Sequence, residues 1–257
     1  MEEDKNYPKT APELMVRASI QILMADKENP KPEAFGSGCI LEHRKRFFLI
    51  SVRHVTDYDD LTTFLETNLP PDEKGAWIKP IGGLCYFDLF QVSDATSINE
   101  FEDLLQNGQT LDVTFAEIKE NMELIQNEID FGAFKVSAGH KVILDSRDID
   151  LPSKEENYGF HGRVKHQYEG FYLKMENTVK YNLKYHRTDK HFHIFLAPEI
   201  IKDAIDYQGC SGAPIIDSQG KLVALACKVR IPSKMIYGFS IQECIRLLDV
   251  AIDTKML

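Results

Sequence analysis

Gly209-Cys210-Ser211-Gly212-Ala213-Pro214-Ile215-Ile216 is a turn of small residues that runs directly into an apolar strand. A nucleophilic serine needs such a setting: its hydroxyl stands on a tight turn, and neighbouring backbone N–H groups converge to hold an oxyanion. Glycine on either side lets the chain turn without a Cβ clash. Small-residue turns also join ordinary strands, so the surrounding sequence has to decide. Downstream, Asp217-Ser218-Gln219-Gly220 separates Pro214–Ile216 from Leu222–Lys228 and predicts a hairpin. Between Glu243 and Ile252, Ile245, Leu248 and Ile252 recur at helical spacing, which predicts a C-terminal helix.

Upstream, Phe48-Leu49-Ile50-Ser51-Val52-Arg53-His54-Val55 is a hydrophobic strand that leads into a histidine. A lone histidine is most often structural or solvated, and the chain has eight. This one follows Gly36-Ser37-Gly38 and a predicted hairpin of Cys39–Leu41 with Phe47–Val52. Further strands are expected at Val16–Met24, Leu84–Phe90, Leu111–Ile118, Ile129–Val136, Tyr168–Met175 and His191–Leu196, and a short helix at Ile98–Leu105. Many short strands with frequent turns indicate an all-β protein. Residues 1–13 read as a flexible N-terminal tail.

Taken in order, Gly36-Ser37-Gly38-Cys39-Ile40, the strand ending at His54, Leu111-Asp112-Val113-Thr114-Phe115 and the Ser211 turn resemble the trypsin-like, chymotrypsin-fold serine peptidases. The glycine turn at Gly220, the following strand and Tyr237-Gly238-Phe239-Ser240-Ile241 before the helix resemble bacterial, intracellular-type members. The resemblance covers about residues 16–250. It implies two six-stranded antiparallel β-barrels of the chymotrypsin type with a C-terminal α-helix, divided near residues 14–140 and 141–257. It also implies a serine endopeptidase in which Ser211 attacks, His54 is the base and an aspartate orients it. Asp112 lies 58 residues after His54 and 99 before Ser211; Asp130, in Ile129-Asp130-Phe131-Gly132, lies 76 after and 81 before. Asp112 is preferred for its strand-like continuation and its spacing, and Asp130 stays open. By the same resemblance the N–H groups of Gly209 and Ser211 form the oxyanion hole. Ala226, Cys227 and Lys228 pair with an extended substrate, and Ile205 lies near the base of an uncharged pocket, with Asp206 as the alternative. Two departures stand out. Cys210 occupies the place where digestive members carry the aspartate that pairs with a cleaved N-terminus, and the bulky Arg53 precedes His54.

The rest of the composition narrows the classes. Of the 257 residues 43% are hydrophobic and 27% charged, an ordinary globular balance. A formal charge of −10 with no basic stripe argues against nucleic acid as a partner. No apolar run approaches the roughly 18 residues of a membrane span, and the acidic start is unlike a secretory leader. Five scattered cysteines contain no C-x-x-C pair and point to the cytoplasm with reduced thiols. His191 and His193 share a strand face but lack a third ligand, so no metal and no cofactor is expected. The expected partner is a protein or peptide substrate. The insertion between Val55 and Leu111 leaves room for a regulatory partner that nothing in the sequence identifies.

Overall fold

The computed structural model describes residues 8–26, 31–70, 77–89, 109–118, 122–170 and 172–257. The first element is a helix where a tail was expected: α1 spans Ala11–Ala18. Thr10 caps it by accepting from the Glu13 N–H, and a proline stands in its first turn, where a missing N–H costs nothing. Glu13 then pairs with Arg17 one turn on, at 3.1 Å. Leu14, Met15, Val16 and Ala18 are buried, so the strand expected from Val16 begins only at Ile20.

The N-terminal half is one antiparallel sheet. Its strands are β1 (Ile20–Ala25), β2 (Pro32–His43), β3 (Arg46–Ser51), β4 (Thr62–Glu66), β5 (Ile78–Ile81), β6 (Cys85–Leu89) and β7 (Gln109–Ile118). They lie in the order β5-β4-β1-β2-β3-β7-β6. Among the described residues no ladder joins β6 back to the other end, so the described part of this half is a half-barrel sheet. Pro80 in β5 lacks an N–H to offer a further strand, as suits an edge. The helix expected at Ile98–Leu105 and the last residue of the strand expected at Leu84–Phe90 fall outside the described residues.

Short two-residue strands link the halves: β8 (Ile125–Gln126) pairs β11 (Gly139–His140), and β9 (Ile129–Asp130) pairs β10 (Lys135–Val136). The single strand expected over Ile129–Val136 is thus a tight hairpin. Asp130 accepts from the Gly132 N–H at 2.8 Å, and Gly132 adopts φ +77°, a turn that breaks the run. β12 (Leu144–Asp145) returns to pair with β2.

The C-terminal half is a closed barrel. Its members are β13 (Tyr158–Glu169), β14 (Tyr172–Asp189), β15 (Phe192–Ile201), β16 (Pro214–Asp217), β17 (Leu222–Val229) and β18 (Ser233–Ser240). The order is β13-β14-β15-β18-β17-β16. The strand expected over Tyr168–Met175 is instead the end of β13 and the start of β14, because Gly170 turns the chain at φ +64°. The helix after β18 forms as expected, α3 at Ile241–Asp253, with Ile241, Cys244, Leu247, Leu248 and Ala251 as its buried residues. Ile245 and Ile252, expected on that face, sit at its margin.

One apolar cluster joins the halves: Ile22, Phe48 and Phe115 of the sheet share it with Leu225 and Phe239 of the barrel and Leu248 of α3. A second fills the barrel around Phe160, Phe195 and Ile215. A shared core fixes one half against the other, so side chains brought from each to their junction keep their relative places.

Candidate active site

β3 ends at Ser51 opposite Thr114 of β7. Two residues further along this antiparallel register, the chain leaving β3 faces Asp112. There it turns into the short helix α2 (Arg53–Thr56), which brings His54 over that carboxylate. Asp112 accepts from the His54 backbone N–H at 3.1 Å, and both of its oxygens lie 2.9 Å from His54 Nδ1. A carboxylate only accepts, so Nδ1 carries a proton, and in the neutral ring Nε2 keeps the lone pair. Burial alone would raise the Asp112 pKa; the hydrogen bonds and charge of His54, with the Cys227 thiol, outweigh it and hold the carboxyl below its ordinary range.

Asp130 is not part of this arrangement. It pairs with Lys135 at 2.8 Å on the β9–β10 hairpin, half exposed. Arg53 is turned aside, with Nε 2.6 Å from Asp57 and its guanidinium over the Tyr86 ring.

Ser211 arrives from the barrel, on the turn before β16. The turn is pinned to the sheet: Ser37 N–H donates to Ser211 O at 2.7 Å, and Ser37 Oγ donates to Gly209 O at 2.7 Å. Gly212, at φ +87°, packs so closely that a Cβ there would collide with Ser37 O. The N–H groups of Cys210, Gly212 and Ala213 donate to Tyr207, Ala226 and Cys210 carbonyls respectively. Among the described residues, the N–H groups of Gly209 and Ser211 are the two in this turn that donate to nothing. The Ser211 hydroxyl donates to Cys227 O at 3.2 Å, and that bond, not one to His54, is the one it makes.

Beside Ser211 lies a cavity of about 230 Å³, walled by Phe160, Ala204, Tyr207, Ala226, Val229 and Ile236. Ala226, Cys227 and Lys228 all border it. Ile205 does not; it is 45% exposed. Tyr207 and Gln208 both donate backbone N–H groups to Ala204 O, so 204–208 coils like a helical turn. That coil directs Ala204, Tyr207 and Gln208 to the cavity and Ile205 away from it. Asp206 is half exposed, 3.8 Å from Lys165, and does not border the cavity either.

Cys210 is 2% exposed against Gly162, and burial pushes its thiol up to about 12. Apolar packing occupies the place of a buried ion pair. His193 is buried against Thr188 at 2.8 Å, and His191 lies 3.6 Å from Glu243. Among the described residues no group of three ligands could hold a metal, and no helix is long and apolar enough to cross a membrane. Ser37 escaped notice as a site residue. Its signal was present, since small residues at 36–38 and again at 209–213 mark two backbones that must approach closely.

No protein-family model matches the sequence, and no curated protein does. Among solved structures, a serine endoprotease from Yersinia pestis aligns with TM-score 0.52 at 13% identity, over 96% of this chain and 68% of its own. HBP, solved at atomic resolution, aligns with TM-score 0.54 at 9% identity, over 96% and 95%. At these identities the likeness shows the fold, which is the chymotrypsin type.

Proposed function

We propose that this chain is a serine endopeptidase that works through Ser211, His54 and Asp112. The observation that carries the reading is the imidazole held at Nδ1 by both oxygens of an ionised carboxylate, together with a serine turn that has two uncommitted N–H groups. In this reading the Ser211 hydroxyl leaves the Cys227 carbonyl when substrate enters and turns to His54 Nε2, which takes its proton. Ser211 Oγ attacks the substrate carbonyl, and the Gly209 and Ser211 N–H groups receive the oxyanion. Collapse expels the amine, which takes the proton from His54, and water then releases the acyl group by the same steps. The carboxylate keeps the imidazole in one tautomer and stabilises the imidazolium. The cavity accepts an uncharged, apolar side chain at the cleaved bond.

A fluorophosphonate probe tests the assignment. Wild-type protein is expected to be labelled, Ser211→Ala not at all, and His54→Ala and Asp112→Asn far more slowly; Asp130→Asn is expected to label like wild type. Labelling of Ser211→Ala, or loss in Asp130→Asn alone, would overturn it. The Ser211–Cys227 bond favours one variant of the reading, a peptidase at rest until a substrate or protein partner draws the hydroxyl round. Labelling that rises severalfold when a protein partner is present would mark that case, since a bound peptide substrate shields Ser211 from the probe. Absence of any labelling would favour a protease fold kept as a binding module. The proposed compartment is the cytoplasm, in keeping with five buried free thiols.

A further inference from the structure

We infer that Lys228 selects substrates with an acidic side chain on the acyl side of the cleaved bond, two to four residues before it. The inference rests on the peptidase reading above and adds to it a class of substrate. Its ground is the edge of β17. β16 pairs with β17 only as far as Leu225, and two further bonds hold Ala226, its N–H donating to Ala213 O and its carbonyl accepting from Gly212 N–H. β18 covers the other side through Val229. Cys227–Val229 therefore presents an edge that no strand covers among the described residues, and it begins where the Ser211 hydroxyl holds the Cys227 carbonyl. An extended peptide with its apolar residue in the cavity would add to that edge, and the residues before the cut would pass Lys228.

Lys228 is exposed and, among the described residues bordering the cavity, is the one charged side chain. Its ammonium lies 5.0 Å from the ring centre of Phe192 and 5.2 Å from that of Tyr237. Two aromatic rings hold a long side chain that would otherwise sample many rotamers. The rings leave the ammonium's hydrogen-bond donors unused, and among the described residues no carboxylate pairs with it. In a chain whose formal charge is −10, a cation seated on rings and lacking an acid is prepared for an acid from elsewhere. A basic substrate side chain would meet repulsion at the same place.

Matched peptides test this. Each carries one apolar residue for the cavity and Glu, Gln or Lys at the second, third or fourth place before the bond. Two readouts are taken: kcat/KM on the wild-type protein, and binding by fluorescence anisotropy to Ser211→Ala, which needs no turnover. The expected preference for Glu over Gln is about two- to fivefold, the range for an exposed charge pair, with Lys disfavoured. It should shrink in high salt. Lys228→Met should bring the Glu-to-Gln ratio to one, and Lys228→Glu should invert it toward the Lys peptide. A Lys228 that only covers its two rings would leave the ratio unmoved in both variants. Equal use of Glu and Gln by a protein that labels and cleaves would overturn the inference and leave the peptidase reading standing. Failure to label or cleave would sink the peptidase reading, and the anisotropy ratios would still decide what Lys228 recognises.

Discussion

Both oxygens of Asp112 reach one nitrogen of His54, and that contact sets His54 apart from an ordinary surface histidine. An asparagine of the same shape would present its NH₂ to Nδ1 and shift the ring proton to Nε2, where it blocks proton uptake from Ser211. Asp112→Asn is therefore expected to slow fluorophosphonate labelling by about three to four orders of magnitude while leaving the fold intact; near-normal labelling would remove Asp112 from the site. The depressed carboxyl pKa also has a stability consequence. The bond contributes fully above the unfolded carboxylate value of about 3.9 and is lost as pH falls through the lower folded value. Gly212 carries a different constraint, a backbone at φ +87° against Ser37 O. Gly212→Ala is expected to cost more than about 1 kcal/mol in urea unfolding and to abolish labelling, because relief of the clash moves the serine turn off the sheet.

α1 shows why a local pattern was legible only in part. Val16 to Met24 alternates like a strand, yet its first residues complete a helix whose cap, Thr10, and first-turn proline lie upstream in what read as tail. The deciding force is burial: Met15 is fully buried and touches the place where a Cβ on Gly159 of β13 would go. Met15→Ala is expected to cost about 2–5 kcal/mol, and Thr10→Ala about 1 kcal/mol, both read from urea midpoints. A loose tail would make both neutral. The same limit governed the pocket. Counting back from Ser211 reached Ile205, and the coil at 204–208, set by bonds to Ala204 O, turned Ala204 inward instead. Strands with turns of their own, such as β16–β17 and the run into His54, were readable because hairpin and strand signals are local. The preference for Asp112 over Asp130 followed from strand continuity and spacing; its contact with His54 depends on a register between β3 and β7 that no spacing rule contains.

At the scale of the whole molecule, the site depends on two unlike halves, a half-barrel sheet and a closed barrel, staying in one relation. Their shared apolar cluster supplies most of that hold, but a polar knot at the junction sets its pH dependence. Lys141, on the linking segment, donates to Val16 O at 3.0 Å, Ser19 O at 2.6 Å and Gln126 Oε1 at 2.6 Å. Arg163 of the barrel pairs with Glu66 of the sheet in the same knot. Burial pulls the Lys141 amine down to about 7; Glu66 opposes that shift, and Arg163 and Arg17 reinforce it. The sign then follows from proton counting. Between about pH 7 and the unfolded lysine value of about 10.4, the unfolded chain binds a proton that the folded chain has lost. Stability should accordingly rise with pH in that window, by up to about 1.4 kcal/mol per pH unit, and level off above it. Lys141→Met removes the titrating group and keeps the stem, so it isolates the contribution. Urea unfolding at pH 7, 8 and 9 should show wild type gaining on Lys141→Met at each step. Parallel curves would mean that the ammonium stays charged on its three acceptors, and that the junction draws its hold from the apolar cluster and the Arg163–Glu66 pair alone.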